Sequence, residues 1–180
     1  MERWKMEASE KLLDTRWVKV RRDQVTLPSG MRIDDFYAIT IADAAAVVAI
    51  DEAGNMILKK EYRYCYDREL IEIPAGTFEV GETDSLAVAQ RELLEETGYA
   101  SEEWEYIGST VESSSKLTNH MHIYFANHCR KVNGQHLDPT ENLDVMVVPL
   151  EKAVEMVMRN EICCNSSAHG ILWAARKLGR

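Results

Sequence analysis

The chain has 180 residues, with 21 Lys and Arg against 30 Asp and Glu, for a formal net charge of −9. That balance excludes nucleic-acid binding through a broad basic face. A hydrophobic share of 46% and a charged share of 28%, with no apolar run long enough to span a bilayer and no signal-peptide pattern, describe one globular chain expected in the cytoplasm and away from membranes.

The N-terminal half reads as strands. Trp17 to Val25 alternates and meets a turn at Leu27-Pro28-Ser29-Gly30, and Ile33 to Ile41 follows. Ala44 to Ile50 is nearly continuous in apolar residues, as a strand buried on both faces should be. Asp51 to Asn55 is a turn, Met56 to Tyr64 a strand, and Ile71 to Ile73 a short strand ending in Pro74-Ala75-Gly76. Gly81 marks a second turn, and Thr83, Asp84 and Ser85 are candidate N-caps for the helix that carries Arg91 to Thr97. Trp104 to Val111, Met121 to Asn127 and Leu143 to Val148 are further strands, and helices are expected at about Leu150 to Arg159 and Ser167 to Leu178. The order implies a mixed sheet flanked by helices.

The chemistry concentrates on the first helix. In Arg91-Glu92-Leu93-Leu94-Glu95-Glu96-Thr97-Gly98-Tyr99, three glutamates stand at i, i+3 and i+4. They share one strip, while Leu86, Ala89, Leu93 and Leu94 form a broad face able to pack on a core. A solvated acidic face would intersperse lysines, but Arg91 is the sole nearby cation; paired with Glu95, it leaves Glu92 and Glu96 uncompensated. Hard divalent cations would supply the missing charge, and oxygen donors suit magnesium or manganese rather than zinc. Cys65, Cys129, Cys163 and Cys164 form no C-x-x-C pair, so reduced thiols are expected. His120 and His122 share one face of a predicted strand, and two histidines alone do not make a metal site.

Gly76, Glu82 and the Arg91 to Tyr99 run together resemble the Nudix box, G-x5-E-x7-R-E-U-x-E-E-x-G-U with U apolar, the signature of hydrolases that cleave nucleoside diphosphates linked to another moiety. Eight residues, Thr83 to Gln90, separate Glu82 from Arg91 where that pattern has seven, so the loop or first helical turn must absorb one. Trp17 to Gly30, Glu61-Tyr62-Arg63-Tyr64 and Arg68 to Gly76 look like the ADP-ribose and ADP-sugar pyrophosphatase branch. The resemblance implies an α/β fold, the Nudix α/β/α sandwich with a mixed sheet preceded by a small N-terminal antiparallel sheet. It divides the chain into residues 1–43, N-terminal strands for homodimerisation, and 44–180, the hydrolase domain.

For the site, the resemblance implies metal ligation by Glu92, Glu95, Glu96 and the Ala75 carbonyl, with Arg91 orienting Glu95. It implies substrate contacts from Arg63, Glu72 and Arg68, and a general base from the acidic Asp138 to Asp144 loop, Glu141 first and Asp144 second. A cross-strand ion pair of Glu72 with Arg68 or Arg63 is the plainer reading of those residues. The expected activity is magnesium-dependent (manganese possible) cleavage of a nucleoside diphosphate sugar such as ADP-ribose into a nucleoside monophosphate and a sugar phosphate. The alternatives are a nucleoside triphosphate pyrophosphohydrolase, disfavoured by P-A-G before the box, and a non-catalytic nucleotide-sugar sensor, disfavoured by the intact acids. The branch's usual proline beyond the box has no counterpart in Glu112 to Asn119, which leaves the base and sugar open.

Overall fold

The computed structural model describes all residues from Met1 to Arg180. Its organising element is β4 (Ala44–Asp51), seven of whose eight residues are buried. A strand turns successive side chains to opposite faces. Ala46, Val48 and Ile50 accordingly enter one apolar cluster, and Ala45, Val47 and Ala49 enter another. The two clusters lie on opposite sides of one sheet.

That sheet runs in the order β11 (Leu143–Pro149), β5 (Asn55–Arg63), β4, β10 (Met121–Lys131), β8 (Tyr99–Ala100). β6 (Arg68–Glu72) pairs with β5, β7 (Ala75–Thr77) with β4, and β9 (Glu103–Thr110) with β10. β4 and β10 are parallel and the other pairings antiparallel, so the sheet is mixed. Helix α1 (Ser85–Thr97) covers one face through Val88, Ala89 and Leu93. Helices α2 (Leu150–Met158) and α3 (Asn165–Lys177) cover the other through Leu150, Ala153, Met156, Ile171 and Ala174. Each fully buried Val, Leu or Ile among these contributes roughly 1.5–3 kcal/mol. The result is the expected α/β/α sandwich.

α1 is fixed at both ends. Asp84 is the N-cap, its carboxylate accepting from Leu86 N at 2.9 Å. Gly98, at φ 72°, donates to Leu94 O at 2.8 Å and ends the helix in the left-handed conformation. Of the eight residues between Glu82 and Arg91, Thr83 and Asp84 precede the helix and Ser85 to Gln90 lie in it.

By its internal contacts the chain divides into Met1–Asp43 with Val111–His120, and Ala44–Thr110 with Met121–Arg180. The first unit is an antiparallel sheet of β1 (Lys5–Asp14), β2 (Lys19–Thr26) and β3 (Arg32–Thr40). Residues 113–118 join its β3 edge through Ile39 N to Lys116 O at 2.8 Å and Thr118 N to Ile39 O at 3.1 Å. Sequence reasoning did not anticipate β1, because the alternation of Lys5-Met6-Glu7-Ala8-Ser9 breaks at Glu10-Lys11 and the run has no β-branched residues; pairing with β2 makes the strand. β10 also runs beyond Asn127, and α3 begins at Asn165 rather than Ser167.

Candidate active site

The turn from β6 into β7 lies against the buried side of α1. Ala75 N donates to Glu96 Oε2 at 2.9 Å. Gly76 lies under the Glu92 carboxylate: a Cβ there would lie 2.0 Å from Glu92 Oε1 and would displace that carboxylate. A glycine at this point of the motif therefore lets the glutamate opposite it keep this position.

Arg91 gathers three of the motif's acids. Its Nη1 donates to Glu92 Oε1 at 2.8 Å and Glu95 Oε2 at 3.0 Å, and its Nε and Nη2 each reach Glu82 at 3.1 Å. Glu82 thus joins the cluster despite the longer spacing. The guanidinium is held above its ordinary pKa, since these carboxylates outweigh the cost of its partial burial.

The charge balance of the helix differs from the sequence expectation. Glu92 is compensated by Arg91, and Glu96 is compensated from another element altogether. On β5, Ile57 packs against α1 and the alternate residues Lys59, Glu61 and Arg63 continue along that face. The Lys59 side chain is 1% exposed and forms an ion pair with Glu96, itself 2% exposed. Its Nζ also donates to Ala75 O at 3.2 Å and lies 3.1 Å from Glu61 Oε2. That last contact is not aligned as a hydrogen bond, so buried Glu61 Oε2 has no donor. Burial pushes the Glu96 carboxyl up to about 7 against the pull of Lys59, and it also raises Glu92. Burial disfavours the Lys59 ammonium, but Glu96 and Glu61 outweigh it and hold its pKa above the ordinary value. The side chains therefore turn toward Arg91 and Lys59, and no group of three converges as a finished metal site.

The other expected residues occupy nearby strands and loops. Arg63 donates to Glu72 through Nε at 3.0 Å and through Nη2, and to Glu61 through Nη1 at 2.9 Å. Cys164 Sγ donates to Glu72 Oε1 at 2.8 Å. Burial works against ionised Glu72, yet Arg63 and the Cys164 thiol prevail and hold it below the usual carboxylate range. Burial, with the charge of Glu72, pushes the Cys164 thiol up to about 12, so it is a hydrogen-bond donor rather than a thiolate. Arg68 is exposed, does not bond Glu72, and lies 3.5 Å through Nη2 from Cys163 Sγ.

Glu141 and Asp144 stand outside the acidic cluster. Glu141 Oε2 accepts from Asp138 N at 2.9 Å, closing a turn of its own loop, while exposed Asp144 sits on β11 opposite Lys60. The segment leading to Glu141 is tied to the end of α1. His136 N donates to Glu95 O at 2.8 Å, and Gln135 Nε2 to Glu96 O at 2.8 Å. Lys59 and Glu61 are what sequence reasoning missed. Their signal was a run of charges on alternate positions of a strand whose first half is apolar.

Comparison with known proteins follows the same division of the chain. Residues 40–162 match the NUDIX domain, and residues 4–39 match the nucleoside diphosphate sugar hydrolase N-terminal domain. The chain is 32% identical over 155 residues to the methanol dehydrogenase activator of Bacillus methanolicus, covering 86% of this chain and 83% of that protein. It is 29% identical over 171 residues to the ADP-ribose pyrophosphatase of Bacillus subtilis strain 168, covering 94% and 91%. The crystal structure of an ADP compounds hydrolase shares the fold at a TM-score of 0.82 and 18% identity, over 100% of this chain and 98% of that one.

Proposed function

The chain belongs to the Nudix family of pyrophosphate-hydrolysing enzymes, and on that premise we propose that it cleaves a nucleoside diphosphate sugar, ADP-ribose or a close relative, with magnesium or manganese as cofactor. The products are a nucleoside monophosphate and a sugar phosphate. The observation that carries this reading is that the Arg91 to Glu96 run lies against the Ala75-Gly76 turn, with Ala75 N donating to Glu96 and the Glu92 carboxylate over Gly76. The match of residues 4–39 to a nucleoside diphosphate sugar hydrolase N-terminal domain favours a sugar nucleotide over a nucleoside triphosphate.

The donors fit a hard divalent cation in kind. Glu92, Glu95, Glu96 and the Ala75 carbonyl offer only oxygen, and buried Glu61 Oε2 adds an acceptor without a donor. When bound there, the cation supplies positive charge to the pyrophosphate oxygens and acidifies a coordinated water. Arg91 keeps Glu92 and Glu95 in place by bridging both while anchored on Glu82. Arg63, held by Glu72 and Glu61, presents a fixed positive group to an anionic substrate, and more exposed Arg68 adds a second. Glu141 accepts the proton of the attacking water, its loop being tethered to the end of α1 that carries the acids.

Residues 1–43 form the homodimerisation element of this reading, residues 44–180 the hydrolase domain, and the cytoplasm the place of action. The test is incubation with a panel of nucleotide sugars and triphosphates, with magnesium or excess chelator, and chromatographic identification of products. Magnesium-dependent release of AMP and ribose phosphate from ADP-ribose is expected. Selective hydrolysis of a triphosphate, or full activity in chelator, overturns the reading.

A further inference from the structure

Lys59 is the one ammonium buried among the acids of this site, and it comes from a strand rather than from the helix that bears the motif. Its Nζ is surrounded by Glu96, Glu61 Oε2 at 3.1 Å and Ala75 O at 3.2 Å, at 1% side-chain exposure. All three neighbours are oxygens, two carboxylates and a backbone carbonyl, the donor set that would otherwise receive a hard divalent cation. Two of them, Glu96 and the Ala75 carbonyl, are among the ligands assigned above, so the ammonium and an ion would draw on the same oxygens. Glu61 strengthens the point, because its Oε2 is buried without a hydrogen-bond donor while lying against this one positive charge.

We propose that Lys59 is a resident cation of the active site. It occupies the position between Glu96, Glu61 and the Ala75 carbonyl, so the free enzyme binds one fewer divalent ion, or binds it more weakly, than these oxygens would otherwise allow. Lys59 is thus a positioning residue for the metal site, setting its cation count through competition for shared ligands. Two cations cannot share these oxygens without repulsion in a water-poor setting. The proposal rests on the metal-dependent reading above.

The test counts manganese ions on the substrate-free protein by electron paramagnetic resonance titration, comparing wild type with Lys59→Met, which keeps an unbranched side chain and removes the charge. The variant is expected to gain one manganese site per chain, or to bind its tightest ion at least about tenfold more strongly. Manganese should also raise its melting temperature by more than it raises that of wild type. If Lys59→Met is not folded without metal, Lys59→Met/Glu61→Gln removes one charge of each sign and takes its place. The same count and affinity as wild type, weaker manganese binding, or failure of both variants to fold even with manganese overturns the proposal. A wild type that binds no manganese refutes the metal-dependent reading itself, whereas a wild type that binds it with an indistinguishable folded variant refutes only the role of Lys59.

Discussion

Glu92, Glu95 and Glu96 are chemically alike, and their surroundings make them different. Glu92 faces Gly76 and Arg91, Glu95 remains partly open with its side chain 41% exposed, and Glu96 is enclosed with Lys59. Removing one partner of so buried a pair costs about 3–5 kcal/mol, far more than an exposed pair contributes. The proton acceptor is assigned outside this group, where a side chain is not already held by a cation. Glu141→Gln retains an oxygen to accept from Asp138 N and loses basicity, so the loop should keep its turn while kcat falls about 10² to 10⁴-fold and KM changes little. Asp144→Asn, exposed on β11 beside Lys60, should be nearly silent. Steady-state kinetics of both variants check this, and a crippled Asp144 variant beside an active Glu141 variant reverses the assignment.

At the scale of elements, α1 serves the site because both of its ends are pinned and one face is packed on β4. Its C-terminal end receives residues 132–136, with Val132 N and Asn133 N donating to Gly98 O at 2.9 and 3.1 Å. Gly98 combines a left-handed φ of 72° with a close approach, since a Cβ would lie 2.2 Å from Asn133 O. Gly98→Ala should therefore destabilise the protein by more than the roughly 1–2 kcal/mol of the backbone conformation alone, because the segment leading to Glu141 must also shift. Urea denaturation measures the stability loss, and a lowered kcat in the variant that remains folded would report the moved loop. A change below about 1 kcal/mol would show that the loop yields freely.

For the whole molecule, the N-terminal sheet presents more apolar surface than an isolated sheet should. β1 is exposed along its entire length, and Trp4, Met6, Leu12, Leu13, Trp17 and Met31 are all exposed. Such an edge and face invite a second copy. The homodimer of the proposed reading should appear in light scattering at micromolar concentration as a mass near twice the 20.5 kDa of one chain. Leu12→Asp/Leu13→Asp should shift it to monomer without unfolding the hydrolase unit, to which neither residue belongs. A wild-type monomer under those conditions overturns the dimer.

The sequence by itself determined the strands and the helix on which the site is built. The apolar run of Ala44 to Ile50 predicts a strand buried on both faces, and the cap candidates Thr83, Asp84 and Ser85 with the spacing of Arg91 to Glu96 predict a helix and its acidic strip, because these signals lie within a few residues of one another. Glu92, Glu95 and Glu96 were legible as one acidic strip, and Arg91 as the partner of Glu95, for the same reason. What only the tertiary structure decided are relations between distant segments. Lys59 reads in sequence as one more polar residue of K-K-E-Y-R; it is buried because β5 there lies between β6 and β11 and turns alternate residues toward α1. Glu82 meets Arg91 across the loop before α1 despite the longer spacing, and β1 is a strand because β2 supplies its partner. Local periodicity encodes which face a residue takes, and tertiary contact alone settles which charge stands opposite it.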